Sequence, residues 1–557
     1  MTDKQCHLAL MFEPDGYDVS KKELMGRQTA GYAFLRAATN ICDVETEYLT
    51  GYTARRGSFD ALQNMANTLK PGLEARWCQP HQLSLLQEAG TLYLPDPGIA
   101  SFANTRLRIG VDAYSITGVT HTTATHRVLD FFKDLVTAPV MPWDALISTS
   151  RSVHSTVETV LESQRDYLSW RLGTDVPTTP CQLPVIPLGI HTQDFEFSAQ
   201  FEKDARRKMD IEDNEIVFLF LGRLTTFMKA HVFPMYQGLQ KVAEATGKNI
   251  TLIECGWFAT DSTEDAMVEA RGILMPDVKY IHIDGREVPA KNRCWAAADV
   301  FVSLSDNIQE TFGLTPVEAM AAGLPLLISQ WDGYAELCSD GEEGFQIPTT
   351  MPDDTIDFAY LYETNAAYSK YCVTTAQTIS VDVGCFIQRA TALAENPELR
   401  ATMGAKGKLR AKTIYDWSVV YEQYQDLWQE LAAIRKNART APGLGKVIKN
   451  IPDVIPGRQS PSELFSSYPS QFITDDTCII AEPTGTPGDY AKLIQLKIFT
   501  FSGAALPFPP VAKIIFKELE AKKTLSVTQI ATLLGCNSFA AKKIVSTLLK
   551  MGLVTLH

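Results

Sequence analysis

Residues 299–329 read "DVFVSLSDNIQETFGLTPVEAMAAGLPLLIS", and they contain the unit that decides the fold. The runs "DVFVSLS" and "LPLLIS" predict buried strands, because short apolar runs of this kind are typical of parallel sheets covered on both faces. The segment between them predicts a helix, since Thr315, Pro316 and Glu318 form a capping-box pattern at its start. A strand, a helix and a second strand in this order indicate a βαβ unit.

The same alternation extends in both directions along the chain. Apolar runs on the amino-terminal side are "HLALMF", "SITGVTH" and "DALISTS", and a second set comprises "EIVFLFLG", "NITLIECG" and "VKYIHIDG". The break between the sets lies near residue 195, after Pro184, Pro187 and Gly189 interrupt the pattern. We therefore predict an α/β fold with two domains, at residues 1–195 and 196–436.

The composition changes after residue 436. Residues 437–489 are rich in Pro, Gly and Ser, which predicts a linker or a loop that wraps the preceding domains. Residues 490–557 contain three short helical patterns, each opened by Pro, Ser or Asn, which predict a mainly helical, winged-helix-like domain. Its final strand "GLVTLH" is predicted to pair with "KLIQLKIFTF", and Phe539 in its third helix is predicted to face inward.

Overall composition narrows the classes of protein. The chain has 557 residues, 45% of them hydrophobic, and a formal net charge of −14, which argues against disorder and against a surface that coats polyanions. No apolar run approaches the roughly 18 residues of a membrane span, and the amino terminus does not predict a secretory signal. We expect a cytoplasmic protein. Its eleven cysteines lack metal-ligand spacing, so we predict reduced thiols and no metal site.

A candidate site follows the strand "DVFVSLS". The carboxyl ends of parallel strands form the ligand crevice of open α/β sheets, and this loop carries Glu310 and Gly313 into it. Gly313 permits close approach of the backbone, and the free N–H groups at the helix start can bind a phosphate. Glu310 and Glu318 could take sugar or ribose hydroxyls. The alternative for Glu318 is a purely structural role in the capping box.

Two cations follow the strand "VFLFLG" of the same predicted sheet. Arg223 comes directly after it, and Lys229 lies in the loop before the next helix. Cations at this edge could neutralise a diphosphate. The alternative is that both are solvated surface residues.

In chain order, "FLGRL", "ECGWF", "QETFGLTPVE" and "DGEEGFQI" resemble the retaining, GT-B-fold family 4 glycosyltransferases, or glycosyl transferases group 1. Glu310 and Glu318 match that family's E-x7-E motif, in which the second glutamate binds the donor ribose and the first the donor sugar. The resemblance covers roughly residues 5–435 and is strongest over 215–350. It includes the segment "YDW", which opens a closing helix that in the family crosses back onto the first domain.

The resemblance implies that both domains are Rossmann-like and that a nucleotide-sugar donor binds in the cleft between them. Arg223 and Lys229 would hold its diphosphate. The backbone amides near Gly313 and Leu314 would contact the same group. No metal and no other cofactor is expected, because family members generally need none.

The first domain would complete this site. His121, after the strand "SITGVT", matches the family's active-site histidine, and His126 is the competing candidate. Gly26 and Arg27 stand where the family has a glycine loop, although the usual double glycine reads Met25-Gly26 here. Arg27 would contact either the donor phosphates or the acceptor.

The resemblance thus implies an enzyme that transfers a sugar, with retention of configuration, to a cytoplasmic-side acceptor: a glycan, a lipid-linked glycan, a small molecule or a protein. One alternative is a nucleotide-sugar-sensing regulator that acts through the carboxyl-terminal unit, and another is a sugar phosphorylase or synthase. Residues 507–557 carry seven Lys, two Glu and no Arg. Because Arg is the commonest reader of base edges, we favour protein contact, including homodimerisation, over nucleic acid for this unit.

Overall fold

The computed structural model describes residues 8–19, 26–45, 47–225, 228–353, 368–452, 455–483, 485–500 and 509–557. These residues divide into two compact units, residues 1–455 and 456–557. In the described ranges no helix is both long enough and apolar enough to cross a membrane.

The first sheet belongs to the larger unit. Its strands are β1 (Ala9–Met11), β2 (Tyr48–Tyr52), β3 (Glu74–Cys78), β4 (Thr91–Leu94), β5 (Ser115–Val119) and β6 (Ala145–Ile147). They are parallel and lie in the order β3-β2-β1-β4-β5-β6. The helices between and after them are α1 (Gly26–Ile41), α2 (Arg56–Leu69), α3 (Leu83–Ala89), α4 (Ile99–Arg106), α5 (His126–Asp134) and α6 (Arg151–Leu172).

The second sheet repeats this arrangement. Its strands are β7 (Ile216–Leu221), β8 (Ile250–Gly256), β9 (Lys279–Asp284), β10 (Val300–Ser303), β11 (Leu326–Ser329) and β12 (Gly344–Ile347). They are also parallel, in the order β12-β11-β10-β7-β8-β9. Both orders are those of a doubly wound Rossmann sheet, in which the first three strands extend the sheet to one side and the next three extend it to the other side of the first strand. The predicted α/β class with two Rossmann-like domains is confirmed.

The described residues from 199 to 449 form the other α-helices of the larger unit. In chain order they are α7 (Ala199–Lys208), α8 (Phe233–Thr246), α9 (Asp261–Leu274), α10 (Val288–Ala297), α11 (Leu314–Ala321), α12 (Tyr334–Leu337), α13 (Tyr368–Ala376), α14 (Val383–Glu395), α15 (Pro397–Arg410), α16 (Trp417–Ala438) and α17 (Pro442–Lys449). Strands β13 (Thr349–Thr350) and β14 (Ser380–Val381) form a short antiparallel pair.

Helix α16 leaves the second domain and completes the core of the first. Trp417 and Tyr424 pack against Phe34 of α1, with ring centroids 5.8 and 5.5 Å apart. Trp428 Nε1 donates a hydrogen bond of 3.2 Å to Thr117 Oγ1 in β5. The resemblance implied a closing helix that crosses back onto the first domain, and α16 packs there.

The chain passes between the two domains twice, and the two passages are bonded together. Ile190 N–H donates to the Tyr415 carbonyl, and Trp417 N–H donates to the Ile190 carbonyl, each at 2.8 Å. Thr192 Oγ1 donates to Asp416 Oδ2 at 2.6 Å. The side chain of any other residue at Gly189 would meet the Trp417 ring, since a Cβ there would lie 2.6 Å from it.

Helix α11 begins earlier than the sequence pattern predicts. Gly313, with φ of 100°, is its N-cap, and no side chain caps this end, so the predicted capping box is wrong. Thr315 and Pro316 are instead the second and third helical residues. The left-handed backbone that Gly313 readily adopts turns the chain into the helix before Thr315, and Pro316 is tolerated because N–H groups in a first turn have no intrahelical acceptor.

The smaller unit has three strands in the antiparallel order β16-β15-β17, where β15 is Cys478–Ala481, β16 is Leu525–Ser526 and β17 is Val554–Leu556. Its helices are α18 (Pro461–Leu464), α19 (Pro487–Leu493), α20 (Lys497–Thr500), α21 (Pro509–Lys522), α22 (Val527–Leu534) and α23 (Ser538–Lys550). The three predicted carboxyl-terminal helices are therefore present. The winged-helix-like character of this unit stays a prediction, as does contact with a protein partner or a second copy through residues 507–557.

Three details of this region correct the predictions. The final strand β17 pairs with β15 and not with "KLIQLKIFTF" as predicted. The described part of "KLIQLKIFTF" is largely helical, in α19 and α20. The predicted linker contains secondary structure, including α17 and β15. Phe539 is 71% exposed, because the buried line of α23 follows Ala541, Val545 and Leu548 at helical spacing and Phe539 lies outside it.

A buried ion pair offers a test of the first domain. Arg106 donates to both carboxylate oxygens of Asp144 at 2.6 and 2.7 Å, and both side chains are fully buried. Replacing Asp144 by alanine should lower the free energy of unfolding by about 3–5 kcal/mol, because it leaves a buried guanidinium without its counter-charge. Urea denaturation measures the change.

The exposed pair of Arg56 and Asp60, 2.8 Å apart on α2, provides the matched control. Asp60→Ala should change the free energy of unfolding by at most about 1 kcal/mol. Equal destabilisation by the two alanine variants would contradict the prediction.

Candidate active site

The predicted site residues of the second domain lie at the carboxyl edge of its sheet. Glu310 is in the loop between β10 and α11, and Lys229 is in the loop between β7 and α8. The structure brings the two together, with Lys229 Nζ 3.0 Å from Glu310 Oε2. Lys229 was predicted to contact a diphosphate, and its ammonium has two further N–H groups for such a ligand.

The surroundings of Glu310 keep its carboxyl group ionised. Burial would raise its pKa, but the charge and hydrogen bond of Lys229 and the N–H groups of Thr311 and Phe312 outweigh burial. The pKa of Glu310 is therefore below its usual value. A negative charge fixed at this position could stabilise positive charge at a reacting carbon.

Position 313 accommodates only glycine, because of its backbone conformation and because of the close packing around it. Besides its positive φ, a Cβ at this position would lie 2.5 Å from the Tyr334 ring. Helix α11 starts at Leu314, and the first N–H groups of a helix have no intrahelical acceptors. These amides and the helix dipole make the predicted anion site physically reasonable.

Glu318 projects from the second turn of α11 and is only 8% exposed. Burial raises its pKa, and the positive charge of Lys291 opposes part of that effect. Within the described residues its carboxyl group makes no hydrogen bond, and it does not cap the helix. The structural alternative offered by the capping box is thus removed, which leaves the carboxyl group available to a ligand.

Arg223 follows Gly222 at the end of β7 and is partly exposed. Among the described residues it forms no ion pair, so its charge is not neutralised by a neighbouring carboxylate. Close packing fixes the backbone before it, since a Cβ on Gly256 would lie 1.9 Å from the Gly222 carbonyl oxygen. Residues 226 and 227, between Arg223 and Lys229, lie outside the described part of the chain.

On the first-domain side, His121 follows β5. Burial and the nearby charge of Arg27 lower its pKa to about 4, although a hydrogen bond with the Pro95 carbonyl acts in the opposite direction. The imidazole is therefore neutral at pH 7 and donates to Pro95. The competing residue His126 is the first residue of α5.

Gly26 and Arg27 begin helix α1. Arg27 Nη2 lies 2.6 Å from Asp15 Oδ2, and both side chains are about half exposed. Met25, the departure from the double glycine, lies outside the described residues. The charge of Arg27 lowers the pKa of His121. A contact of Arg27 with the donor phosphates or the acceptor stays a prediction.

The two halves of the site meet at Thr311. Its hydroxyl donates a hydrogen bond to the His121 carbonyl, and its own carbonyl accepts one from Ser150 Oγ at 2.8 Å. His121 and Glu310, predicted on separate domains, are thereby placed on adjoining segments.

Asp332 is a further acidic residue of the site that sequence analysis did not identify. It follows β11 with φ of 48°, a strained conformation for a residue other than glycine. Burial and the charge of Glu310 raise its pKa to about 8. The next residue, Gly333, packs on the Glu310 loop so closely that a Cβ would lie 2.5 Å from the Thr311 carbonyl oxygen. The only sequence signal was the Asp-Gly turn pair after a strand.

Asp306 was also missed. It is buried after β10, and the His231 backbone N–H donates to both of its carboxyl oxygens at 3.2 Å. Burial raises its pKa to about 7. Its position between a predicted strand and Glu310 gave no distinct signal.

Part of the chain is similar in sequence to known proteins. Residues 201–376 match the family model described as glycosyl transferases group 1. A glycosyltransferase of Methanocaldococcus jannaschii, MJ1607, is 27% identical over 174 residues, covering 31% of this chain and 42% of its own. The phosphatidyl-myo-inositol mannosyltransferase of Mycobacterium tuberculosis is 27% identical over 248 residues, covering 44% and 54% of the two chains.

The chain thus spans about half the length of these curated relatives. Among solved structures, Anabaena HepE in complex with UDP aligns over 76% of this chain and 99% of its own, with a TM-score of 0.49 and 13% identity. The matched family segment contains Arg223, Lys229, Glu310 and Glu318. Residues 201–376 of this chain are thus similar in sequence to the glycosyl transferases group 1.

Proposed function

We propose that this protein transfers a sugar from a nucleoside diphosphate donor to an acceptor hydroxyl with retention of anomeric configuration. One observation carries the proposal: an ionised Glu310 paired with Lys229 stands beside the amino end of α11, and the same helix holds Glu318 buried without a hydrogen bond among the described residues. Anion-binding amides, cations and two carboxyl groups at one sheet edge match the parts of a nucleotide-sugar.

Different residues of the site bind the diphosphate, the ribose and the sugar of the donor. Arg223, Lys229 and the amides of Gly313 and Leu314 bind the diphosphate. Glu318 accepts hydrogen bonds from the ribose hydroxyls. Glu310 and the neutral imidazole of His121 contact the sugar from opposite domains.

In the transfer step, the bond from the sugar C1 to the diphosphate oxygen breaks and a bond from C1 to the acceptor oxygen forms on the same face. The acceptor proton leaves with the departing nucleoside diphosphate. Positive charge develops at C1 in the oxocarbenium-like transition state, where the fixed negative charge of Glu310 stabilises it. Arg223 and Lys229 stabilise the negative charge that develops on the leaving group.

A panel of nucleoside diphosphate sugars, read by the released nucleoside diphosphate, tests the proposal. Glu310→Gln should lower kcat by about 100- to 1,000-fold with the active donor, because it removes a charge that acts in the transition state. Arg223→Ala and Glu318→Gln should mainly raise the donor KM.

Lys241→Gln supplies the control, since Lys241 is exposed on α8 and pairs only with Glu244 among the described residues. Wild-type rates in Glu310→Gln, or binding of donors without any turnover by the wild type, would contradict the proposed reaction. The second outcome would favour a nucleotide-sugar sensor.

We also propose that no metal ion is needed. Arg223, Lys229 and the helix-start amides would supply positive charge and N–H donors to the diphosphate, which is the role that a divalent ion would otherwise take. Turnover should be the same in excess EDTA as in buffer containing Mg²⁺ or Mn²⁺. A loss of turnover in EDTA that Mg²⁺ restores would refute this part of the proposal.

The pKa of Asp332 predicts a limit at alkaline pH. Its carboxyl group, with a pKa of about 8, is mostly neutral at pH 7 and becomes charged as the pH rises through that value. The new negative charge stands beside Glu310 and repels the donor diphosphate, so the donor KM should rise above pH 8. Initial rates measured from pH 6.5 to 9.5 give this profile.

Asp332→Asn cannot ionise and should keep a nearly constant donor KM over the same range. His121, with a pKa of about 4, does not titrate there. An identical rise of KM in wild type and Asp332→Asn would show that another group is responsible.

A further inference from the structure

Two segments of the second domain, the loop before α11 and helix α12, make direct hydrogen bonds to the start of helix α6 in the first domain. Ser150 Oγ donates to the Thr311 carbonyl at 2.8 Å while accepting from Val153 N–H at 3.2 Å. One hydroxyl group can do both, since it has one proton and two lone pairs. The N-cap of α6 thus also binds the loop that carries Glu310.

Glu336 makes the second connection. Its Oε1 accepts hydrogen bonds from the backbone N–H groups of Arg151 and Ser152 at 2.7 and 3.3 Å. These are the first two residues of α6, whose N–H groups have no acceptor within the helix. A carboxylate at this position also interacts favourably with the helix dipole. Glu336 therefore fills an anion site on the other domain with charge-assisted bonds.

Both connections lead to residues of the proposed active site. Thr311 follows Glu310, and its hydroxyl and carbonyl groups are both bonded to the first domain. Glu336 lies in α12, which begins at Tyr334, and the Tyr334 ring lies against Gly313 at the start of α11. Movement of the first domain away from these two segments breaks the hydrogen bonds that Thr311 makes with Ser150 and His121.

We infer that Thr311 and Glu336 are positioning residues: their hydrogen bonds to His121, Ser150 and the start of α6 form an interdomain latch that sets the Glu310 loop for transfer when the cleft closes. This inference rests on the proposed function. The bonded passages at Ile190 and Asp416 form the point about which the domains can rotate. Because the latch consists of polar groups that water can also satisfy, it can open and close at little cost.

The latch predicts a specific kinetic signature. Thr311→Val keeps the shape of the residue but removes the hydroxyl donor, and Glu336→Gln removes the charge but keeps the size. Each should lower kcat about five- to tenfold, with the dissociation constant of nucleoside diphosphate changed by less than about twofold, because the loop is mispositioned while the diphosphate contacts remain. Calorimetric titration with UDP and with GDP measures binding separately.

Arg439→Gln is the control. Arg439 joins the end of α16 to Asp112, so its loss breaks a tertiary ion pair that touches neither site loop. This variant should keep the wild-type kcat. The inference would be overturned if kcat were unchanged in both Thr311→Val and Glu336→Gln. It would also be overturned if Arg439→Gln lost kcat and thermal stability to the same extent as those two variants.

Small-angle scattering gives a readout that does not depend on turnover. Adding UDP or GDP should reduce the radius of gyration of the wild type more than that of Glu336→Gln. If no donor is turned over, the proposed function fails while this comparison still decides the latch. Equal contraction of the two proteins, or no contraction of either, overturns the latch even when sugar transfer is demonstrated.

Discussion

The relation between the two sheets depends on the pair of hydrogen bonds that joins Ile190 to Tyr415 and Trp417. The chain passes from one domain to the other at this point and returns beside itself, so neither passage can shift without the other. Trp417 then starts the helix whose aromatic face completes the first-domain core. This interaction explains why residues from the carboxyl edges of two separate sheets meet at Thr311, although no covalent connection lies near that contact.

The cleft that results contains several carboxyl groups, yet the proposed donor is a polyanion. The structure reconciles these facts through different environments for each acid. Glu310 is ionised because Lys229 and two backbone N–H groups stabilise its charge, whereas burial raises the pKa of Glu318, Asp306 and Asp332. Negative charge is thus concentrated at the carboxyl group that faces the reacting sugar in our proposal, and it is reduced elsewhere.

Sequence patterns predicted much of this arrangement. Long apolar runs such as "EIVFLFLG" and "NITLIECG" correspond to β7 and β8, since central strands of a parallel sheet are buried on both faces. More polar strands were missed: β3, "EARWC", is partly exposed at the edge of its sheet, and β12, "GFQI", contains Gly and Gln. The start of α11 was misplaced because the pattern "TPVE" satisfies the local rules for a capping box, while the close fit of Gly313 against Tyr334 is a tertiary contact.

The sequence by itself determined which residues stand at the ends of strands. Strand periodicity and loop position place Arg223, Lys229, Glu310 and His121 at carboxyl edges, because these features depend only on neighbours along the chain. The tertiary structure alone decided that Lys229 pairs with Glu310, that Asp332 carries a proton at neutral pH and that Ser150 and Glu336 connect the domains. Hydrogen bonds between residues 81 to 190 positions apart, together with burial and the charges around each group, require the folded chain, and no local pattern encodes them.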